Sequence, residues 1–338
     1  MEYRYIGRTG LRVSPICMGT MTFGSQCDEK AAFAIMDKAY DYGVNFFDTA
    51  ELYPVPPTSE LCGLTEEMVG RWLKTKPRDS VILATKVAGA ASGWFVPPIR
   101  HGFTACDRFH IERAIEGSLK RLGTDYIDLY QMHWPDPIVP IEETMRAMDA
   151  LVQSGKVRYI GTSNDTARGT MKSLMVSKYE KLTRFESIQN NFSLLNRRDL
   201  TEIGALCREE KISLLPYSPL GGGILSGKYN QASNTQGRFS DYVNSSNKRQ
   251  RLMAARFLND KTLASTQEYL RIAAVHGLDP VTMAIAWSKQ FDFVASTIIG
   301  ATTPEQLDAS LAAMKVTLSA DLLKDLDAVH AKILYPMG

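Results

Sequence analysis

The sequence predicts an α/β fold, a (β/α)8 TIM barrel with one or two extra helices. Three observations carry the prediction. Apolar runs that read as buried strands recur about eight times along the 338 residues. Most are continuously apolar rather than alternating, as expected of parallel strands covered on both faces. Amphipathic helical stretches separate them, so about eight strand–helix units follow one another. A doubly wound open sheet is the competing architecture, and it usually carries Gly-x-Gly-x-x-Gly after its first strand. Here that stretch reads Met18-Gly19-Thr20-Met21-Thr22-Phe23-Gly24, which does not match.

Taken in order, strands are expected near Ile16–Gly19, Val44–Asp48, Val81–Lys86, Ile127–His133, Val157–Ser163, Glu186–Gln189, Ser213–Tyr217 and Thr297–Gly300. Among the helices, Asp28–Tyr42 puts Ala32, Ile35, Met36 and Ala39 on one face, and Arg108–Leu122, Ile141–Ser154 and Arg198–Glu210 keep the same rhythm. Asp28 and Asp199 sit at cap or first-turn positions, and Gly43, Gly123 and Gly155 fall where helices should stop. Helical patterns at Thr262–His276, Pro280–Lys289, Pro304–Met314 and Ala320–Ile333 supply the extra helices.

Two segments exceed the usual loop length. Gly89–Asp107 contains Trp94, Phe95, Pro97, Pro98 and Phe103; Leu220–Arg251 is rich in Gly, Ser and Asn and carries Lys228, Arg238, Lys248, Arg249 and Arg251. Long loops in compact domains are usually functional or disordered. Both follow expected strands, which puts them on the carboxyl-end face where barrel active sites lie. No internal repeat, linker or domain boundary is visible, so residues 1–338 read as one barrel domain.

The bulk properties are bland. A formal charge of +2 implies no strong attraction to nucleic acid or to a membrane surface. Five cysteines are scattered without paired metal spacing, which fits a reducing compartment and no metal site. The start lacks the apolar core of a signal peptide, and no apolar run reaches the ~18 residues of a membrane span. A cytoplasmic protein is the expectation. The sequence leaves the oligomeric state open.

The chemistry gathers at strand ends. Asn45-Phe46-Phe47-Asp48 ends in an acid, with Tyr53 on the loop beyond; Val81–Lys86 ends in an amine and Ile127–His133 in an imidazole. An acid, a phenol, an amine and an imidazole at one rim can deliver a proton to a carbonyl, which suggests a reductase. A free phenol has a pKa of ~10 and is a poor donor at neutral pH; a neighbouring ammonium lowers that value. In this reading Tyr53 donates, Lys86 tunes, Asp48 anchors Lys86, and His133 orients the carbonyl or relays the proton. Taken singly each has a duller explanation, such as a packed tyrosine, a solvated lysine or a core histidine. Four complementary groups at successive strand ends are harder to assign to accident.

Weaker signals follow the later strands. Gly161-Thr162-Ser163-Asn164 either binds a ligand amide or caps the next helix. Gln189-Asn190-Asn191 is polar loop chemistry or ligand contact. Tyr217 offers a face for stacking a ring or packs in the core. Gly300-Ala301-Thr302-Thr303-Pro304 is a phosphate-binding helix start or an ordinary Thr-Pro cap. Met21, Phe23, Trp94, Phe95 and Trp134 are candidates for an apolar substrate pocket. A glycosidase would need a second strand-end carboxylate beside Asp48, and none is evident.

These residues resemble the aldo-keto reductases over nearly the whole length. Tyr5-Ile6-Gly7-Arg8-Thr9-Gly10-Leu11-Arg12-Val13-Ser14 looks like that family's amino-terminal hairpin, and Phe47-Asp48-Thr49-Ala50 with Tyr53, Lys86 and His133 is similar to its catalytic tetrad. Ser118–Leu129, Gly155–Gly161 and Ser163-Asn164 are also similar. Glu51–Pro56 and Gly63–Glu66 look most like a bacterial Tas-like branch.

The resemblance implies a (β/α)8 barrel with an N-terminal β-hairpin that reduces a small aldehyde or ketone with NADPH, NADH being the alternative. It implies that nicotinamide stacks on Tyr217 with its amide held by Ser163, Asn164 and Gln189. Gly19, Thr20, Met21, Asp48, Ser218 and Pro219 would line the same site. The diphosphate would lie near Leu220, Gly227 and Lys228, with Arg238 assisting at the adenosine 2′-phosphate and Gly300, Thr302 and Gln306 at the adenosine end. Phe23, Tyr53, Trp94, His133 and Trp134 would bound the substrate. Many members carry glycine after the tyrosine where this chain has Pro54. The rival implication is a cofactor-binding regulatory or sensor protein with slow turnover.

Overall fold

A computed structural model describes residues 2–92, 103–230 and 237–337. The expected pocket residues Trp94 and Phe95 lie outside the described residues. An antiparallel hairpin opens the chain, β1 (Arg4–Tyr5) and β2 (Arg12–Val13). The central sheet holds β3 (Ile16–Gly19), β4 (Phe46–Asp48), β5 (Ile82–Val87), β8 (Ile127–Met132), β9 (Val157–Ser163), β10 (Phe185–Gln189), β11 (Ser213–Leu214) and β12 (Thr297–Ile299). A small antiparallel ribbon, β6 (Ala91–Ser92) and β7 (Phe103–Thr104), sits between the third and fourth of these.

The eight central strands pair in parallel in the order β11-β10-β9-β8-β5-β4-β3-β12. The sheet curls until its ends meet. Leu214 N–H donates to Phe293 O at 2.8 Å, Ala295 N–H to Leu214 O at 3.2 Å, and Ile298 N–H to Pro216 O at 2.8 Å. These bonds join the two outer strands and close the barrel, as eight units predict.

Two apolar layers hold the fold. Inside the barrel, Cys17, Phe46, Ala84, Leu129, Leu215, Ala295 and Ile298 pack together, and Ile6, Leu11 and Val13 of the hairpin plug its lower end. Outside, a larger cluster fills the space between strands and helices, with Phe47 on Trp72 at 4.6 Å between ring centroids. Each fully buried large side chain there contributes roughly 1.5–3 kcal/mol.

The helices are α1 (Glu29–Asp41), α2 (Leu64–Leu73), α3 (Arg108–Leu122), α4 (Ile141–Gln153), α5 (Ala167–Glu180), α6 (Glu202–Glu210), α7 (Arg238–Val243), α8 (Lys248–Phe257), α9 (Asp260–Val275), α10 (Pro280–Lys289), α11 (Leu307–Ala312) and α12 (Ala320–Lys332). Asp28 caps α1 by accepting from Ala31 N–H, as its position predicts. Gly43, Gly123 and Gly155 all have positive φ at or just past helix ends. No helix among the described residues is long and apolar enough to cross a membrane.

Two expectations change. Asp199 does not open the helix it precedes: it lies in a 3-10 turn (Arg198–Leu200), and α6 begins at Glu202. Its carboxyl is largely removed from water, and burial pushes its pKa up to about 6 against a bond from Asn190. The segment Leu220–Arg251 is not a bare loop either. It contains two 3-10 turns, α7 and the start of α8, because Phe239 and Tyr242 anchor it to the outer core.

Candidate active site

The carboxyl ends of the strands surround a cleft of about 1020 Å³. Parallel register sets its floor. Lys86 pairs with Gln131, and Gln189 with Ser163, so these side chains fall at similar heights. Alternation along each strand then turns Asp48, Lys86, Gln131 and Gln189 toward one another.

Asp48 is the hub. Lys86 Nζ donates to its Oδ2 at 2.5 Å, and Gln189 and Gln131 Nε2 donate to its Oδ1 at 3.0 and 3.3 Å. Lys86 is fully buried; besides Asp48 it donates to Thr49 O at 2.8 Å and lies 3.5 Å from Tyr53 Oη. Burial works against its charge, but the Asp48 carboxylate and the Tyr53 phenol outweigh burial and hold its pKa above the ordinary lysine value.

Tyr53 is 7% exposed and forms part of the cleft wall. Burial raises its phenol pKa, Lys86 pulls it back, and Asp48 pushes it up again. The net direction is upward. This corrects the expectation of a lowered value: the ammonium acts as expected, but the desolvation of the buried phenol exceeds it. His133 follows β8 directly, fixed by its N–H to Val87 O at 2.9 Å. Its ring stands edge-on to Tyr53 with centroids 5.7 Å apart. Burial, then the Lys86 charge, drive its pKa well below the usual histidine value, so the imidazole is neutral at neutral pH. Its buried Nδ1 has no hydrogen-bond partner.

Across the cleft, Ser163 Oγ donates to Gln189 O at 2.7 Å. Asn164 Nδ2 donates to His133 O at 2.8 Å, and Asn164 Oδ1 accepts from Tyr217 Oη at 2.7 Å. Neither Ser163 nor Asn164 caps the next helix; Thr166 does, by accepting from Gly169 N–H. Asn164 and Ser218 hold left-handed φ angles of 54° and 53°, and both line the cleft. Such strain persists where the surroundings over-determine it, often at functional sites. Burial pushes the Tyr217 phenol up to about 12, with Arg256 opposing.

Of the other expected ligand contacts, Gly19, Thr20, Met21, Gln189, Pro219, Leu220, Lys228, Arg238, Gly300, Thr302 and Gln306 line the cleft, as does Trp134. Gln306 Oε1 accepts from Thr302 N–H at 2.9 Å, and Thr303 makes no side-chain cap to the turn it precedes. Two expected residues do not reach it. Phe23 is fully buried in the outer core, and Gly227 closes the turn before Lys228 by donating to Ile224 O. Sequence reasoning missed Arg256, Met253 and Phe257 of α8, which also line the cleft. The basic run that continues from Arg251 is their only sequence signal.

The far end of the cleft is cationic. Lys228 and Arg238 line it, and neither forms an ion pair with a carboxylate among the described residues. Burial and the neighbouring Arg238 lower the Lys228 pKa, and burial lowers that of Arg238. A Cβ on Gly222 would stand 3.0 Å from an Arg238 nitrogen, and one on Gly223 3.0 Å from the Lys228 side chain. The backbone is therefore bare where the two cations converge. This donor set fits a group that carries phosphates.

Fold and cleft together define a barrel oxidoreductase. The chain belongs to the aldo/keto reductase family, whose family profile matches residues 15–331. That family generally uses a nicotinamide cofactor. The chain is 39% identical to "Protein tas" of Escherichia coli, covering 99% of each chain. It is 35% identical to "Uncharacterized oxidoreductase YrpG" of Bacillus subtilis over 97% of this chain and 96% of that one. It is also 33% identical to a "Probable voltage-gated potassium channel subunit beta" of Oryza sativa, over 97% and 96%.

Proposed function

We propose that the protein reduces an aldehyde or ketone to an alcohol with NADPH, NADH being the alternative cofactor, and that residues 1–338 form one catalytic domain. The observation that carries this reading is Tyr53 Oη in the cleft wall, 3.5 Å from Lys86 Nζ and beside His133. Tyr53 gives its proton to the carbonyl oxygen as the carbon is reduced. Lys86, held charged by Asp48, stabilises the phenolate left behind. Neutral His133 orients the carbonyl through a ring nitrogen. The bound cofactor supplies the hydride. Lys228 and Arg238 hold its phosphates, Tyr217 offers the stacking face, and Ser163, Asn164 and Gln189 supply polar contacts to its amide.

The substrate end is apolar. Met21, Leu52, Val55 and Trp134 surround Tyr53, which supports an uncharged carbonyl compound. The five free cysteines accord with a reducing compartment such as the cytoplasm. Purified protein mixed with NADPH and a panel of aldehydes and ketones tests the reading. Loss of NADPH absorbance with at least one carbonyl is expected; none with any would overturn it.

The second reading is a cofactor-binding regulatory protein with slow turnover. The likeness to a protein named as a channel subunit favours it. Tight cofactor binding without turnover of any carbonyl would select it.

A further inference from the structure

Near Asp48, Tyr53, Lys86 and His133 lies a buried carboxylate that the reduction does not use. Glu51 is two residues before Tyr53, and its side chain is turned away from the cleft. The parallel pairing of β4 with β5 runs on past Asp48: Thr49 N–H donates to Ala84 O at 2.9 Å and Glu51 N–H to Lys86 O at 3.2 Å. A continuing parallel ladder would next bond Ala88 N–H to the Glu51 carbonyl. It does not. That carbonyl has turned away and accepts from Cys62 Sγ at 3.2 Å. The Glu51 side chain takes over the rung, its Oε1 accepting from Ala88 N–H at 2.6 Å.

This contact joins two short chain segments. Ala88 lies two residues beyond Lys86, and Glu51 two residues before Tyr53. The His110 imidazole, in the first turn of α3, lies with Nε2 3.3 Å from the same Oε1 but off-axis for a hydrogen bond. Asp107 fixes His110 by accepting from its N–H at 3.0 Å. Cys62, Cys106, Tyr130 and Arg121 complete the titratable surroundings. Burying a carboxylate costs several kcal/mol unless it is bonded, so the hydrogen bond from the Ala88 amide defines where it sits.

We propose that Glu51 is a positioning residue: its carboxylate ties the loop carrying Tyr53 to the end of the strand carrying Lys86, and so sets the separation of phenol and ammonium. The inference rests on the proposed reduction, but its geometry does not. Glu51→Gln keeps an acceptor at full reach; Glu51→Asp draws it back by one methylene. With the Gln variant, kcat stays within about threefold of wild type. With the Asp variant, kcat falls by about tenfold or more, because small misplacements of reacting groups are costly, while cofactor Kd is unchanged.

Two readouts need no turnover. Hydrogen exchange at the Ala88 amide rises in the Asp variant alone, and its crystal structure shows Tyr53 Oη farther from Lys86 Nζ. If wild type reduces no carbonyl, the proposed function fails and these two readouts still judge Glu51. An Asp variant with wild-type kcat and a protected Ala88 amide overturns the proposal. Equal loss in both variants, or failure of both to fold, overturns it too, because charge or bulk stability would then be the role.

Discussion

Asp48 and Lys86 share a 2.5 Å hydrogen bond at a depth where neither side chain meets solvent appreciably. Such a pair adds little net stability over apolar packing, yet removing one partner strands the other. Its value here is geometric, because the same ammonium also faces Tyr53.

Lys86→Met should therefore harm the protein twice. It leaves the Asp48 carboxylate to Gln131 and Gln189 alone, at a cost of about 3 kcal/mol in urea unfolding at pH 7. The folded Lys86 pKa lies above its ordinary value, so the ion pair stabilises fully below pH ~10.5 and fades as pH rises through the folded value. The difference from wild type should thus narrow at strongly alkaline pH. Turnover should collapse as well. An unchanged pH–rate profile would remove Lys86 from any role in tuning the phenol.

Tyr53→Phe deletes a hydroxyl of the cleft wall that faces the ammonium. A proton donor of this kind contributes about 10²–10⁴ in rate. The variant should lose that factor in kcat and bind cofactor within about threefold of wild type by fluorescence quenching. Near-normal kcat would show that another group supplies the proton.

Arg238→Leu tests cofactor choice. With no carboxylate partner among the described residues, the guanidinium is available to a phosphate dianion, and charge-assisted bonds of this type are worth about 1.5–3 kcal/mol. Kd for NADPH should rise by about tenfold or more, with Kd for NADH nearly unchanged. Equal weakening of both cofactors would place Arg238 on the shared diphosphate.

Asp199→Asn should stabilise the fold. The folded carboxyl titrates at about 6 against 3.8 in its ordinary state, so the folded form binds the proton more tightly and stability falls as pH rises across that window. Removing the charge should yield about 1–3 kcal/mol above pH 6 and nothing below pH ~4. A variant of unchanged stability at pH 7 would mean that the carboxylate is solvated in the fold.

Much of this architecture was legible because parallel strands covered on both faces are continuous apolar runs; Val81–Lys86 and Ile127–His133 nearly coincide with β5 and β8. Site residues were legible where a polar side chain ended such a run, as at Asp48 and Lys86. Other features had no local signature. The inner face of α5 is Thr170, Ser173, Leu174 and Ser177, too polar to mark a helix by apolar rhythm. The helices α7 and α8 hide in a stretch rich in Gly, Ser and Asn. Phe23 reads as a pocket aromatic, but the core claims it. The contacts of Glu51 with Ala88 and His110 span 37 and 59 positions, beyond the reach of any spacing rule.

The join between β12 and its two neighbours has a consequence for synthesis. The last staves of the ring are residues 297–299, roughly nine-tenths of the way along the chain. Until the ribosome has released them, β3 and β11 each carry a row of unsatisfied amides and carbonyls, open to pairing with any extended segment nearby. A nascent chain halted before that point should be a far better client for chaperones than one halted just after it.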